Sequence, residues 1–152
     1  SYWIVAGSLI GFIYFNWQPS KLFIGDVGTN FISCLFVHSI FQLGSFDKSF
    51  GLLLTLLPLF FDPLITIFRR LNSSQNIFTA HKSHLYQRLT QNGFSHAEVS
   101  FFYLTNCFIL SFTFFLFGIN ILIIECLIYI FLYFIIDKKY AINFKGSLSK
   151  NL

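Results

Sequence analysis

The sequence predicts an all-α, polytopic integral membrane protein of about five transmembrane helices, the first of them truncated, with a histidine-containing loop and interfacial helix at one membrane face. Three observations predict it. Of 152 residues, 55% are hydrophobic and 11% charged, with a mean hydropathy of +0.69, whereas a soluble domain carries about a quarter charged residues. The apolar residues fall into long runs that a few polar stretches divide. The ten Lys and Arg residues also sort almost entirely to one side of that division.

Residues 2–15 are apolar but too few to cross a bilayer, which takes about twenty, so they read as the end of a helix that begins earlier. A polar island follows at 16–30. A second apolar run, 27–44, is interrupted by Asn30, His38 and Gln42, polar groups that in a membrane helix face other helices or a cavity. His38 reads as a packing histidine. After a short polar turn at 45–49, residues 50–68 make a third segment carrying Pro58, Asp62 and Pro63. Proline breaks local helical hydrogen bonds, so a kink is expected around the Asp62-Pro63 pair, with Asp62 facing protein or water. Arg69 and Arg70 close this segment, and the chain stays polar to 97. The apolar runs 99–117 and 119–136, separated by Gly118, read as a helical hairpin ended by Asp137-Lys138-Lys139.

With alternating segments, the island, the 69–97 loop and the 138–152 tail share one side. They hold Lys21, Arg69, Arg70, Lys82, Arg88, Lys138, Lys139, Lys145 and Lys150, against Lys48 alone on the other. Positive charge marks the cytoplasmic side, so a multi-pass membrane protein with the island and the 69–97 loop on the cytoplasmic face is expected. Cys34, Cys107 and Cys126 each sit in an apolar segment with no Cys-x-x-Cys or Cys/His cluster, which favours packing over metal ligation. No charged leader and no small-residue cleavage site precede Tyr2, so the first run does not read as a signal peptide. The absence of Met makes the chain read as the C-terminal fragment of a longer protein, arranged as a single membrane domain over 1–152.

The island contains Gly25-Asp26-Val27-Gly28, and Asp26 is the first acid in the chain. A glycine on either side lets backbone approach a ligand, which makes Asp26 a site candidate; an ordinary turn is the alternative. The wider stretch, Asn16-x-x-Pro19-Ser20-Lys21-Leu22-Phe23-Ile24-Gly25-Asp26-Val27-Gly28-Thr29, resembles the Gly-Asp signature of the polyprenyl-phosphate sugar-1-phosphate transferases, glycosyltransferase family 4. In the 69–97 loop, Ala80-His81-Lys82-Ser83-His84-Leu85-Tyr86-Gln87-Arg88-Leu89 places His81, His84 and Arg88 on one face if helical. Read alone, it is an amphipathic helix whose basic side meets headgroups. It also resembles the block that follows the Gly-Asp motif in the branch of that family that starts O-antigen or capsule synthesis. Other branches carry further histidines where this chain has Tyr86 and Gln87, so His84 carries over most directly, with His81 as its companion.

The resemblance implies transfer of a sugar 1-phosphate, of N-acetylhexosamine type, from a UDP-sugar to polyprenyl (undecaprenyl) phosphate with release of UMP. It implies Mg2+, with Mn2+ as an alternative, held by Asp26. Mg2+ takes one or two carboxylates and substrate phosphate oxygens, which suits a lone loop Asp. Asn16 and Phe23 match the uridine pocket, Lys21 and Arg88 lie by phosphate, and Asp26, His84 and His81 form the catalytic set. The resemblance also implies placement in a bacterial inner membrane with a cytoplasmic active face. Membrane lipid is the surrounding partner, a homodimer is an open arrangement, and no nucleic-acid partner is expected. The family's Asp-Asp-x-x-Asp and Asn-x-x-Asn-x-x-Asp-Gly motifs do not occur in this chain, so the segment by itself is expected to be inactive. Two other readings stay open: a non-catalytic membrane scaffold, and a transporter or channel subunit with Asp62 and Glu125 lining a pathway.

Overall fold

A computed structural model describes residues 2–17, 19–79 and 81–144. The tail with Lys145 and Lys150 lies outside the described residues, as do Gln18 and Ala80. The described residues are helical, with no strand: α1 (Tyr2–Asn16), α2 (Gly25–Gln42), α3 (Phe46–Thr55), α4 (Leu57–Asn72), α5 (Leu85–Gln91) and α6 (His96–Tyr140). They form two compact units, Ser1–Gln42 and Leu43–Leu152.

In the first unit, α1 and α2 carry large apolar side chains turned outward, among them Trp3, Ile10, Phe31 and Val37. Such a surface suits lipid and not water. α2 begins at Gly25, so Asp26 lies in the first helical turn and not in a loop as the sequence suggested. His38 is exposed, its Nε2 3.4 Å from the Gln42 side chain, rather than packed.

The second unit is built on the expected hairpin. Gly118, at φ 76° and ψ −168°, breaks α6 with a backbone conformation that a Cβ disfavours. The two arms, 96–117 and 119–140, therefore fold back on each other, each some 22 residues or about 33 Å long. That length spans a hydrocarbon core of about 30 Å. The first arm is started by a reciprocal cap: the Ser95 hydroxyl accepts the Glu98 N–H, and the Glu98 carboxylate accepts the Ser95 N–H.

α3 and α4 lean on this hairpin in sequence order. Gly51 lies against Phe114 near the Gly118 turn. Leu54 and Leu57 pack on Leu110, Leu122 and Cys126. Phe61 and Ile65 pack on Tyr103, Tyr129 and Tyr133, and Arg69 reaches Asp137 at the open end. Lys48 thus sits at the turn end of this unit, and Arg69, Lys82, Arg88 and Lys138 belong to the opposite end, which agrees with the charge division.

Two expectations need correction. Residues 45–49 are not a turn, because Ser45 caps a helix that already begins at Phe46. The kink falls at Leu56, where α3 and α4 meet at 72°, and not at Pro63. Pro58 has no N–H for the Leu54 carbonyl, and the Leu56 N–H turns back to Leu53 and Leu54 instead. Pro63 stays inside α4. By length and composition α6 can cross a membrane, as can α3 and α4 taken as one bent pair, while α1 has only 15 residues.

Candidate functional site

The polar island folds back on the end of α1. The Phe15 carbonyl accepts the N–H groups of Lys21 and Leu22 at 2.9 and 3.2 Å, and the Asn16 amide donates to the Leu22 carbonyl at 2.8 Å. Asn16 therefore ties down the strand of chain that presents Lys21 and Phe23, both exposed. Each glycine beside Asp26 has a local cause. Gly25 turns the chain into α2 at φ 63°, and a Cβ at Gly28 would collide with the Ile24 side chain. The Thr29 hydroxyl donates back to the carbonyls of Gly25 and Asp26 at 3.1 and 3.0 Å. Asp26 is left exposed on the first turn of α2, where backbone N–H groups lack helical acceptors.

An exposed carboxylate of this kind fits Mg2+, which needs only one or two protein carboxylates when phosphates complete its shell. Among the described residues no group of three or more His, Cys, Asp or Glu could cage a metal by itself. The Asp26 carboxylate offers a single donor group, so an ion held there would need phosphate oxygens to complete its shell.

The histidine segment belongs to the second unit. His81 and His84 do not lie on a helix face, because α5 starts at Leu85, with His84 as its cap residue and His81 in extended chain before it. The two rings still meet, with centroids 4.9 Å apart, and His84 stacks on Tyr86 at 5.4 Å. His81 Nδ1 is 2.9 Å from the hydroxyl of Ser83, which is fully buried. The His84 N–H donates to Gln87 at 3.2 Å, and its ring Nδ1 is buried without a hydrogen-bond partner.

Burial lowers the pKa of both imidazoles. Arg70 lowers both further, and Asp62 partly offsets this at His84. These shifts favour the neutral imidazole, which offers a ring donor and an acceptor to an anion rather than standing charge. Arg70 is the fixed positive charge behind them. It is 3% exposed and binds the 76–79 turn through the carbonyls of Asn76 and Thr79 and the Thr79 hydroxyl.

Arg88 does not share a face with the histidines. It is 1% exposed, and its guanidinium donates to the Ser83 carbonyl at 3.1 Å, the Ile142 carbonyl at 2.8 Å and the Asp137 carboxylate. Its place is inside the protein, holding the loop to the end of the hairpin, so the expected phosphate contact has no geometric support. Nor is α5 a surface helix with its leucines against lipid: Leu85 and Leu89 are buried on α6.

Asp62, Arg70, Ser83 and Asp137 carry this site's architecture, and sequence reasoning gave them no such part. For Asp62 the signal was present as an acid in an apolar run; for Asp137 it was masked by its position in a helix-ending Asp-Lys-Lys. Asp62 is 1% exposed and accepts from the Leu85 N–H at 2.8 Å, Tyr133 at 3.0 Å, Tyr103 at 3.3 Å and Thr66 at 3.4 Å. Beside it a mostly apolar cleft of about 560 Å³ runs between α4, α5 and the first arm of α6, lined by Leu59, Pro63, Tyr86, His96 and Tyr103.

Residues 1–45 match the family described as Glycosyl transferase family 4. The chain is 34% identical over 99 residues to a probable undecaprenyl-phosphate N-acetylglucosaminyl 1-phosphate transferase of Bacillus subtilis, covering 61% of this chain and 27% of that protein. It is 31% identical over 111 residues to the decaprenyl-phosphate N-acetylglucosaminephosphotransferases of Mycobacterium leprae and Mycobacterium tuberculosis, covering 63% of this chain and 28% of each. The match thus spans just over a quarter of the length of these relatives. No solved structure matches.

Proposed function

We propose, from the premise that this chain is related to glycosyl transferase family 4, that the protein carrying it moves an N-acetylhexosamine 1-phosphate from a UDP-sugar to a polyprenyl phosphate. The reaction would start a cell-surface polysaccharide at the cytoplasmic face of a bacterial inner membrane. The observation that carries this reading is that the family match over 1–45 contains Asn16, Lys21, Phe23 and Asp26 together, with Asp26 exposed at the start of α2.

In the transfer, an oxygen of the lipid phosphate attacks the sugar-bearing phosphorus of the UDP-sugar. A new P–O bond forms, the bond to the bridging oxygen breaks, and UMP leaves with that oxygen. Asp26 would hold Mg2+, which when bound screens the phosphates and stabilises the leaving group. Phe23 offers an exposed ring for uracil stacking, and Lys21 a cation for phosphate. Neutral His84 and His81 offer ring N–H donors to developing charge on phosphate oxygens. The apolar cleft beside Tyr86 suits an isoprenoid chain. Against a pathway role for Asp62 stands its closure by four donors from the protein itself.

The test is UMP release by the whole membrane protein with UDP-N-acetylglucosamine, undecaprenyl phosphate and Mg2+. Asp26→Asn keeps the shape and removes the charge, so turnover is expected to fall at least a hundredfold with membrane insertion intact. His84→Ala should lose most of it and His38→Ala little. Parental turnover of Asp26→Asn at limiting Mg2+ would show that the motif is only a helix start.

A further inference from the structure

We propose that Asp62 is a positioning residue that holds the His81–His84 segment in place by anchoring the start of α5 inside the helix bundle. Four elements meet on this one carboxylate. It projects from the middle of α4, takes the backbone N–H of the first residue of α5, and takes the hydroxyls of Tyr103 and Tyr133 from the two arms of α6. The first N–H groups of a helix have no partner within it, and here a residue from another helix supplies one. His84 is the residue directly before that N–H.

An isolated buried carboxylate is unfavourable, and two features make this one tolerable. Its oxygens accept from four donors of the protein, three on Oδ1 and one on Oδ2, and hydrogen bonds to an ionised acceptor are about twice as strong as neutral ones. Asp62 is 1% exposed at the wall of the apolar cleft, and through its protein partners it acts on His84 by the chain it holds. The tyrosines supply hydroxyls within a cluster of Leu85, Leu89, Val99 and Tyr129, so the anchor is set in a buried layer of this unit. Arg70 and Arg88 restrain the same segment from its two sides, through 76–79 and through Ser83. Asp62 ties α5 at the backbone of its first residue.

The groups facing His84 are Asp62 and Arg70 from α4, with His81 and Tyr86 along its own chain. Of these only Asp62 bears negative charge, and it works against burial and Arg70, which both lower the His84 pKa. Replacing Asp62 by Asn removes that support, so His84 should then protonate at lower pH.

The catalytic part of this inference rests on the phosphate-contact reading of His84; the anchoring part does not, and the experiment separates them. The whole protein in nanodiscs is compared with Asp62→Asn and Asp62→Ala by histidine-labelled NMR titration, by hydrogen exchange at Leu85, and by UMP release. Asp62→Asn keeps one acceptor oxygen and folds; the Leu85 amide should exchange several-fold faster and the His84 titration should move to lower pH. In Asp62→Ala the exchange should rise at least tenfold, and kcat should fall at least tenfold with KM for the UDP-sugar changed less than threefold. Unchanged exchange at Leu85 and an unchanged His84 titration in Asp62→Asn would overturn the anchor, whatever the activity. Altered exchange and titration in a protein that releases no UMP would keep the anchor and refute the transferase reading. Altered exchange with parental kcat in both variants would overturn the positioning role.

Discussion

Asp137→Asn is the sharpest probe of how the histidine loop is fastened, because one carboxylate receives two arginines in different surroundings. Arg69 reaches it at 2.6 Å and keeps 27% of its side chain exposed, while Arg88 pairs with the other oxygen at 2% exposed; Asp137 itself is 12% exposed. Solvent screens the first pair, which is worth about 0.5 kcal/mol. Removing one partner of a buried pair strands the other charge at about 3–5 kcal/mol. Arg88 keeps its bonds to the Ser83 and Ile142 carbonyls, which puts the second loss at the lower end. The sum is about 3.5 kcal/mol, roughly four hundredfold in a local opening equilibrium. Hydrogen exchange of the peptide covering α5, measured in nanodiscs, reads that equilibrium directly. Arg69→Gln, which removes only the screened pair, should change exchange about twofold. Exchange of α5 within threefold of the parent in Asp137→Asn would refute the reasoning, and so would equal effects of Asp137→Asn and Arg69→Gln.

Other outcomes follow from single contacts. Since folding lowers the pKa of His81 and His84 below the ordinary 6.5, the folded state binds fewer protons than the unfolded one. Their contribution to stability is full above 6.5 and declines as pH falls below it; thermal melts at pH 7.5 and 5 should show the decline, and a His81→Gln, His84→Gln double variant should flatten it. At Gly51 a Cβ would meet the Phe114 ring, so Gly51→Leu should separate α3 from the hairpin and cost about 1–3 kcal/mol, read as faster exchange in 46–55; a melt equal to the parent's would contradict the close packing. Single cysteines replacing Lys48 and Lys82 should label from opposite sides of the membrane with an impermeant maleimide, and labelling of both from one side would sink the topology.

The large divisions of the chain were legible because hydrophobic burial is written in composition. Runs broken by Gly118 and by 69–97 gave the hairpin and the loop, and the charge division gave their ends. Helix starts were less legible. Ser45 and Gly25 act through the local backbone, and turn residues and cap residues are the same residue types. Pro58 and Pro63 looked equally able to break a helix. The chain breaks at Leu56, where the freed Leu54 carbonyl finds another donor, and the second proline is absorbed within α4.

The site shows the same limit more strongly. Asp26, His81 and His84 were visible because their neighbours form motifs, but a motif does not say what a charged residue touches. Arg88 looked like a substrate group by its spacing from His84, and its partners turn out to be Ser83, Ile142 and Asp137. Its role was set by Asp137, 49 residues away in the chain. Asp62 was the reverse case. An acid in an apolar run suggests a pathway or a proton site, yet this one is engaged by a backbone N–H 23 residues on and two tyrosines beyond it. The costliest groups to bury in this chain are therefore the ones that fix its loop, because each is tolerated only where several distant segments supply its partners at once. A substitution at any of those partners, Tyr133→Phe among them, should then loosen the His84 segment without touching it.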